Sequence, residues 1–118
     1  MRKEIFKYFF TLIFAFSLIN ADAQKNRKIL YTIKKIYVAG NCNMCKSLIE
    51  KTVNSLDGVK YSRWNSHKKI MKVKFNFNKV SIEDIQRSIA NKGYDTELFK
   101  ATDESYNDLH YCCKYPRE

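Results

Sequence analysis

Glycine and proline are scarce in this chain, with three glycines and one proline in 118 residues. Three scattered glycines do not build the glycine-rich turn that cradles phosphates. No Ser-His-Asp set and no pair of catalytic carboxylates stands out either. The one proline, Pro116, lies near the C-terminus. A thioredoxin-type oxidoreductase sets a cis-proline beside its redox cysteines, so this placement counts against that chemistry. Acidic residues are also few: 12, against 22 Lys and Arg, for a net charge of +10. Such a chain can meet anionic lipid, nucleic acid or an acidic partner, and charge alone does not choose among them.

No apolar run is long enough to span a bilayer comfortably. Tyr8 to Ile19 is apolar over only about a dozen residues. It follows the basic opening Met1-Arg2-Lys3 and precedes the small-x-small sequence Ala21-Asp22-Ala23. The pattern predicts a cleaved secretory signal over residues 1–23 and an exported protein, periplasmic or secreted, with no stable membrane insertion afterwards. A retained anchor is the alternative. No cysteine follows the cleavage site, which argues against a lipoprotein. The remainder is one small domain over residues 24–99 and a C-terminal extension over 100–118.

What is there reads as alternating strands and helices. Leu30 to Val38 is rich in β-branched and aromatic residues and predicts a strand. From Met44 to Leu56, Cys45, Leu48, Ile49, Thr52, Val53 and Leu56 fall on one helical face, and Asp57-Gly58 ends it. Val59 to Trp64 predicts a second strand, with a bulge required if both of its ends are buried. In Ile70 to Phe77, Met71, Val73, Phe75 and Phe77 alternate with Lys72, Lys74 and Asn76. Trp64, Phe75 and Phe77 are expected in the core. Ser81 and Asp84 form a capping pattern for a second helix, closed by Lys92-Gly93. Thr96 to Phe99 predicts a short last strand. The order strand, helix, strand, strand, helix, strand gives an α+β fold, a ferredoxin-like βαββαβ sandwich. RNA-recognition modules share this order, but the third strand turns lysine and asparagine, not aromatics, to its open side, and export removes nucleic acid as a partner.

All four cysteines lie beyond residue 23: Cys42, Cys45, Cys112 and Cys113. Cys42 and Cys45 fall at the start of the first helix. Free N–H groups and the positive end of the helix dipole lower a thiol pKa there, and Lys46 adds a nearby charge. Two thiolates on a turning loop can converge on a soft ion such as Cu(I) or Zn(II). Disulfides in the exported compartment, a disulfide-stabilised binding module without metal and a thiol–disulfide redox role remain open at this point.

The run Val38-Ala39-Gly40-Asn41-Cys42-Asn43-Met44-Cys45, followed by Ile49-Glu50-Lys51, Gly58-Val59 and Gly93-Tyr94, resembles the heavy-metal-associated domain family. That family includes copper chaperones, metal-ATPase N-terminal domains and the periplasmic mercury-binding protein. The resemblance covers roughly Ile33 to Leu98. It implies a βαββαβ fold, one soft ion held by Cys42 and Cys45, and delivery by thiolate exchange to a membrane transporter or another metal-binding domain. The lysine face of the third strand, Lys72 and Lys74 with Lys34 nearby, is either a solvated face or a docking surface for an acidic face on that partner. The resemblance implies a carrier rather than an enzyme. The family pattern is Gly-Met-x-Cys-x-x-Cys. Here Asn41 precedes the first cysteine, the methionine that buries under the loop is missing, and Met44 is the candidate substitute. A neutral Asn41 in place of an acid, and Tyr94 opposite the site as in bacterial copper chaperones, tilt the expected ion toward Cu(I), with Zn(II) and Hg(II) as alternatives.

The Cys112-Cys113 tail departs from the family's minimal domain. Lys100 to Tyr111 spans roughly 20 to 30 Å by a part-helical path, about the height of a small domain, so the tail can return to the loop. Cys112, Cys113 and His110 are then additional candidate ligands. A free tail carrying its own thiols, or tail-to-loop disulfides, are the alternatives.

Overall fold

The computed structural model describes residues 30–117. The signal segment expected at residues 1–23 lies outside them. Three strands form one antiparallel sheet: β1 (Tyr31–Tyr37), β2 (Val59–Asn65) and β3 (Ile70–Asn76), in the order β1-β3-β2. The register pairs Ile36 with Met71, and Met71 with Trp64, across the sheet. Alternation therefore puts Ile36, Met71, Val73, Phe75, Ser62 and Trp64 on one face, where all are buried. The register shifts between Val59 and Tyr61, the bulge that the opposite parity of Val59 and Trp64 requires.

Helices α1 (Asn43–Asn54) and α2 (Ile82–Asn91) cover that face with Cys45, Ile49 and Val53 from the first and Ile85, Ile89 and Ala90 from the second. Ser81 Oγ accepts from the Asp84 N–H at 3.0 Å and closes a reciprocal capping box. After α2 come a five-residue helix, α3 (Asp103–Asn107), and a 3₁₀ turn at Tyr111–Cys113. Among the described residues, no helix is long and apolar enough to cross a membrane.

Two sequence expectations differ. The last strand is reduced to a single bridge between Val38 and Thr96, beside an Ala39 N–H to Asp95 carbonyl bond of 2.8 Å. Thr96 and Phe99 bond to each other instead: the Thr96 N–H reaches the Phe99 carbonyl at 2.8 Å, and the Thr96 hydroxyl accepts from the Phe99 N–H at 3.1 Å. The segment curls into a turn, and the Glu97 carboxylate takes the Tyr37 N–H that a full strand would have paired. Among the described residues the sheet is thus three-stranded, with α+β layering kept. Phe77 is also not core but 51% exposed. Strand β3 ends at Asn76, whose side chain accepts from the Asn78 N–H at 2.9 Å and turns the chain before Phe77 can continue the alternation.

The loop joining β1 to α1 is held from below by Trp64. Its indole N–H donates to the Val38 carbonyl at 3.0 Å, and its ring lies against Gly40. A Cβ on Gly40 would stand 2.7 Å from two atoms of that ring, closer than van der Waals contact permits. Gly40→Ala is therefore expected to destabilise the fold by about 1–3 kcal/mol through overpacking. Thermal denaturation checks this, and an unchanged melting temperature would show the loop to be less tightly seated than described.

Candidate metal centre

Cys42 sits at the N-cap of α1 in extended backbone (φ −137°), and its carbonyl accepts the first helical bond, from the Lys46 N–H at 3.1 Å. Its sulfur faces the Cys45 and Met44 N–H groups without closing a bond of capping geometry. That field, chiefly from the Cys45 N–H and then from the Cys112 thiol, lowers the Cys42 thiol to about 7. Cys45, one turn into the helix, is buried with its sulfur 3.6 Å from that of Cys42.

The tail comes back to this loop. Cys112 Sγ stands 3.4 Å from Cys42 Sγ, and the sulfurs of Cys42, Cys112 and Cys113 lie within 4.8 Å of one another. Cys113 is only 2% exposed and borders both Cys45 and Tyr94. Burial, followed by contact with Cys45, pushes its thiol pKa up, while the bond to Cys42 raises that of Cys112. The Asn41 side chain donates to the Cys112 carbonyl at 3.2 Å, so Asn41 stitches loop to tail. His110 Nδ1 lies 3.2 Å from Cys112 Sγ. All four cysteines are free thiols.

Met44 does not fill the space under the loop. It is 53% exposed, with its thioether 3.8 Å from Cys112 Sγ on the outer side of the cluster. Position N2 of a helix points outward there, and Trp64 already occupies the underside. Lys46 is also turned away from the sulfurs. It pairs with Glu50 and donates to the Trp64 carbonyl at 3.0 Å, which ties α1 to β2. Tyr94 does face the site: it is fully buried, and its hydroxyl has no hydrogen-bond partner among the described residues. Burial, then the neighbouring Cys113 and Cys45 sulfurs, drive its pKa up.

Three features escape sequence reasoning. Lys69 adopts a left-handed backbone (φ 58°) and donates its amine to the Gly40 carbonyl at 2.5 Å, bracing the cysteine loop from the β2–β3 turn. Tyr115 and Arg117 anchor the tail. The Tyr115 hydroxyl donates to the Gly93 carbonyl at 2.8 Å and accepts from the Asp95 N–H at 2.9 Å. Arg117 grips Asp95 at 3.1 Å and Asp103 at 3.0 Å. An aromatic and an arginine flanking the only proline give no periodic signal that would have found them.

The open sheet face carries a cationic row. Lys35 of β1 and Arg63 of β2 both pair in register with Lys72 of β3. Like charges set opposite one another repel, and among the described residues none of the three makes an ion pair. A hollow running from this row to Asn43 and Lys46 at the start of α1 also takes in His67 and Lys68.

A strand-to-helix loop presenting a cysteine pair over one face of a small α+β sandwich defines a class of domain, and the comparisons agree. The family description of the heavy-metal-associated domain matches residues 38–95, and the chain belongs to that family. It is 36% identical over 63 residues to the copper chaperone CopZ of Bacillus subtilis, covering 52% of this chain and 91% of that one. The structure of a CopZ metallochaperone superposes with a TM-score of 0.54 at 29% identity, over 55% of this chain and 98% of the other. The N-terminal domain of a potential copper-translocating P-type ATPase from Bacillus subtilis shares the fold, with a TM-score of 0.56 at 24% identity over 63% of this chain and 94% of that one. The family match ends at residue 95, so the cysteines of the tail lie beyond it.

In reduced, metal-free protein, Cys42 is expected to alkylate first. Its lowered pKa makes thiolate available as pH rises through about 7, whereas Cys113 stays protonated well above that. Iodoacetamide labelling read by mass spectrometry across pH checks the order. A common midpoint for Cys42, Cys112 and Cys113 would contradict it.

Proposed function

We propose that this protein is an exported carrier of a soft metal ion, Cu(I) foremost, which it holds through Cys42 and Cys45 and passes to a partner by thiolate exchange. The observation that carries the reading is the placement of these two sulfurs, 3.6 Å apart at a helix start that favours thiolate, on a fold shared with copper chaperones. Soft sulfur donors select Cu(I) over harder ions. The residues present fit such cargo: the sulfurs converge and the loop is braced by Trp64 and Lys69. Export rests on the signal-like pattern of residues 1–23. The partner is a membrane metal transporter or another metal-binding domain with an acidic face that docks on the Lys35–Lys72–Arg63 row, beside the cysteine loop.

A thiol–disulfide role is the second reading, favoured by the close approach of Cys42 to both Cys45 and Cys112. Anaerobic competition against a chromophoric Cu(I) chelator separates the two. The carrier reading expects tight binding by the reduced protein and a loss of about 100-fold or more in Cys42→Ser. Binding too weak to compete, with ready cycling of a disulfide, would favour the redox role.

If the cationic row docks the partner, Cu(I) transfer to an acidic metal-binding domain is expected to slow by about tenfold between low salt and physiological ionic strength. Lys72→Glu is expected to slow it at low salt. Stopped-flow transfer kinetics checks both. A salt-independent rate would remove this face from the docking surface.

A further inference from the structure

The tail is built as a strap rather than a loose end. Tyr115 is buried between Tyr94, with ring centroids 6.3 Å apart, and Tyr106, at 5.1 Å. The Tyr106 hydroxyl donates to the Tyr115 carbonyl at 2.6 Å, and Arg117 adds its ion pairs to Asp95 and Asp103. These contacts need no metal. They hold Cys112 and Cys113 over Cys42 before any ion arrives, which removes most of the ordering cost of recruiting them.

The spacing suits a shared ion. Three sulfurs around one ion with bonds of ~2.3 Å stand about 4 Å apart in a trigonal arrangement. The sulfurs of Cys42, Cys112 and Cys113 are mutually within 4.8 Å, and Cys42 lies 3.4 Å from Cys112. Ionised thiolates crowded this closely repel unless a cation lies among them. The Tyr94 hydroxyl is buried beside the Cys45 and Cys113 sulfurs without a hydrogen bond of good geometry to either. Thiolates sharing an ion are stronger acceptors for it than neutral thiols.

We propose that Cys112 and Cys113 join Cys42 in a three-sulfur soft-metal site, with Cys45 adjoining it through Cys42, and that the strap carrying them is a latch that lifts for transfer. This rests on the carrier reading above. The latch makes the protein a retentive carrier, which gives up its ion when a partner displaces the tail. Transfer exchanges sulfur ligands one at a time and involves no net oxidation.

X-ray absorption of the Cu(I)-loaded full chain counts the sulfurs. Three or more are expected in the unaltered protein and two in Cys112→Ser/Cys113→Ser, with retention against a Cu(I) chelator weakened by about 10- to 100-fold. Because Cys113 is buried, the single variant Cys112→Ser and the strap variant Tyr115→Phe guard against misfolding, which circular dichroism monitors. The first is expected to lose one sulfur. The second is expected to keep the sulfur count and release Cu(I) faster. Two sulfurs in the unaltered protein, with unchanged retention in the tail variants, would overturn the latch and leave the carrier reading standing. No Cu(I) binding by any form would overturn both.

Discussion

Everything at the cysteine loop depends on where Trp64 sits. One side chain joins three elements: its indole N–H holds the end of β1 through Val38, its ring forms the floor beneath Gly40, and its backbone is tied to α1 through Glu50 and Lys46. The loop therefore has one seat, with a glycine where no Cβ fits. Lys69 closes the other side by donating to the Gly40 carbonyl. A flexible loop would have to order two cysteines each time it took up an ion. Here the ordering is done by the core, and the sulfurs are left at the positive end of a helix.

The tail extends the same logic beyond the part of the chain that matches the family. Residues after 95 do not lengthen the sheet. They run back across the molecule, are locked by Tyr115 and Arg117 to the segment around Gly93 and Asp95, and deliver two more thiols to the same spot. The Asp95 carboxylate in that lock also accepts from the Ala101 N–H, while the chain beyond it turns through the bonds between Thr96 and Phe99 rather than pairing as a strand.

Much of this was legible in the sequence, where the signal is local. Periodicity gave both helices and the buried face of β3, the Ser81–Asp84 pattern gave a capping box, and opposed parity in β2 required a bulge. The cysteine pair could be placed at a helix start because strand and helix patterns abut there. Non-local competition was not legible. Phe77 continues an alternation that Asn76 interrupts through its own side chain. Met44 and Lys46 lie beside the cysteines in sequence, but helix geometry points one outward and Glu50 captures the other. The return of the tail was legible only as a matter of reach, because its anchors act through tertiary hydrogen bonds.

Whether loop and tail thiols form one site is read from the rate at which Cys112 is modified with and without Cu(I). Cys42 and Cys112 are the partly exposed members of the cluster, so both are open to reagent in the metal-free protein. One equivalent of Cu(I) is expected to protect Cys42 and Cys112 together and to the same degree. Protection of Cys42 while Cys112 reacts at its metal-free rate would contradict it.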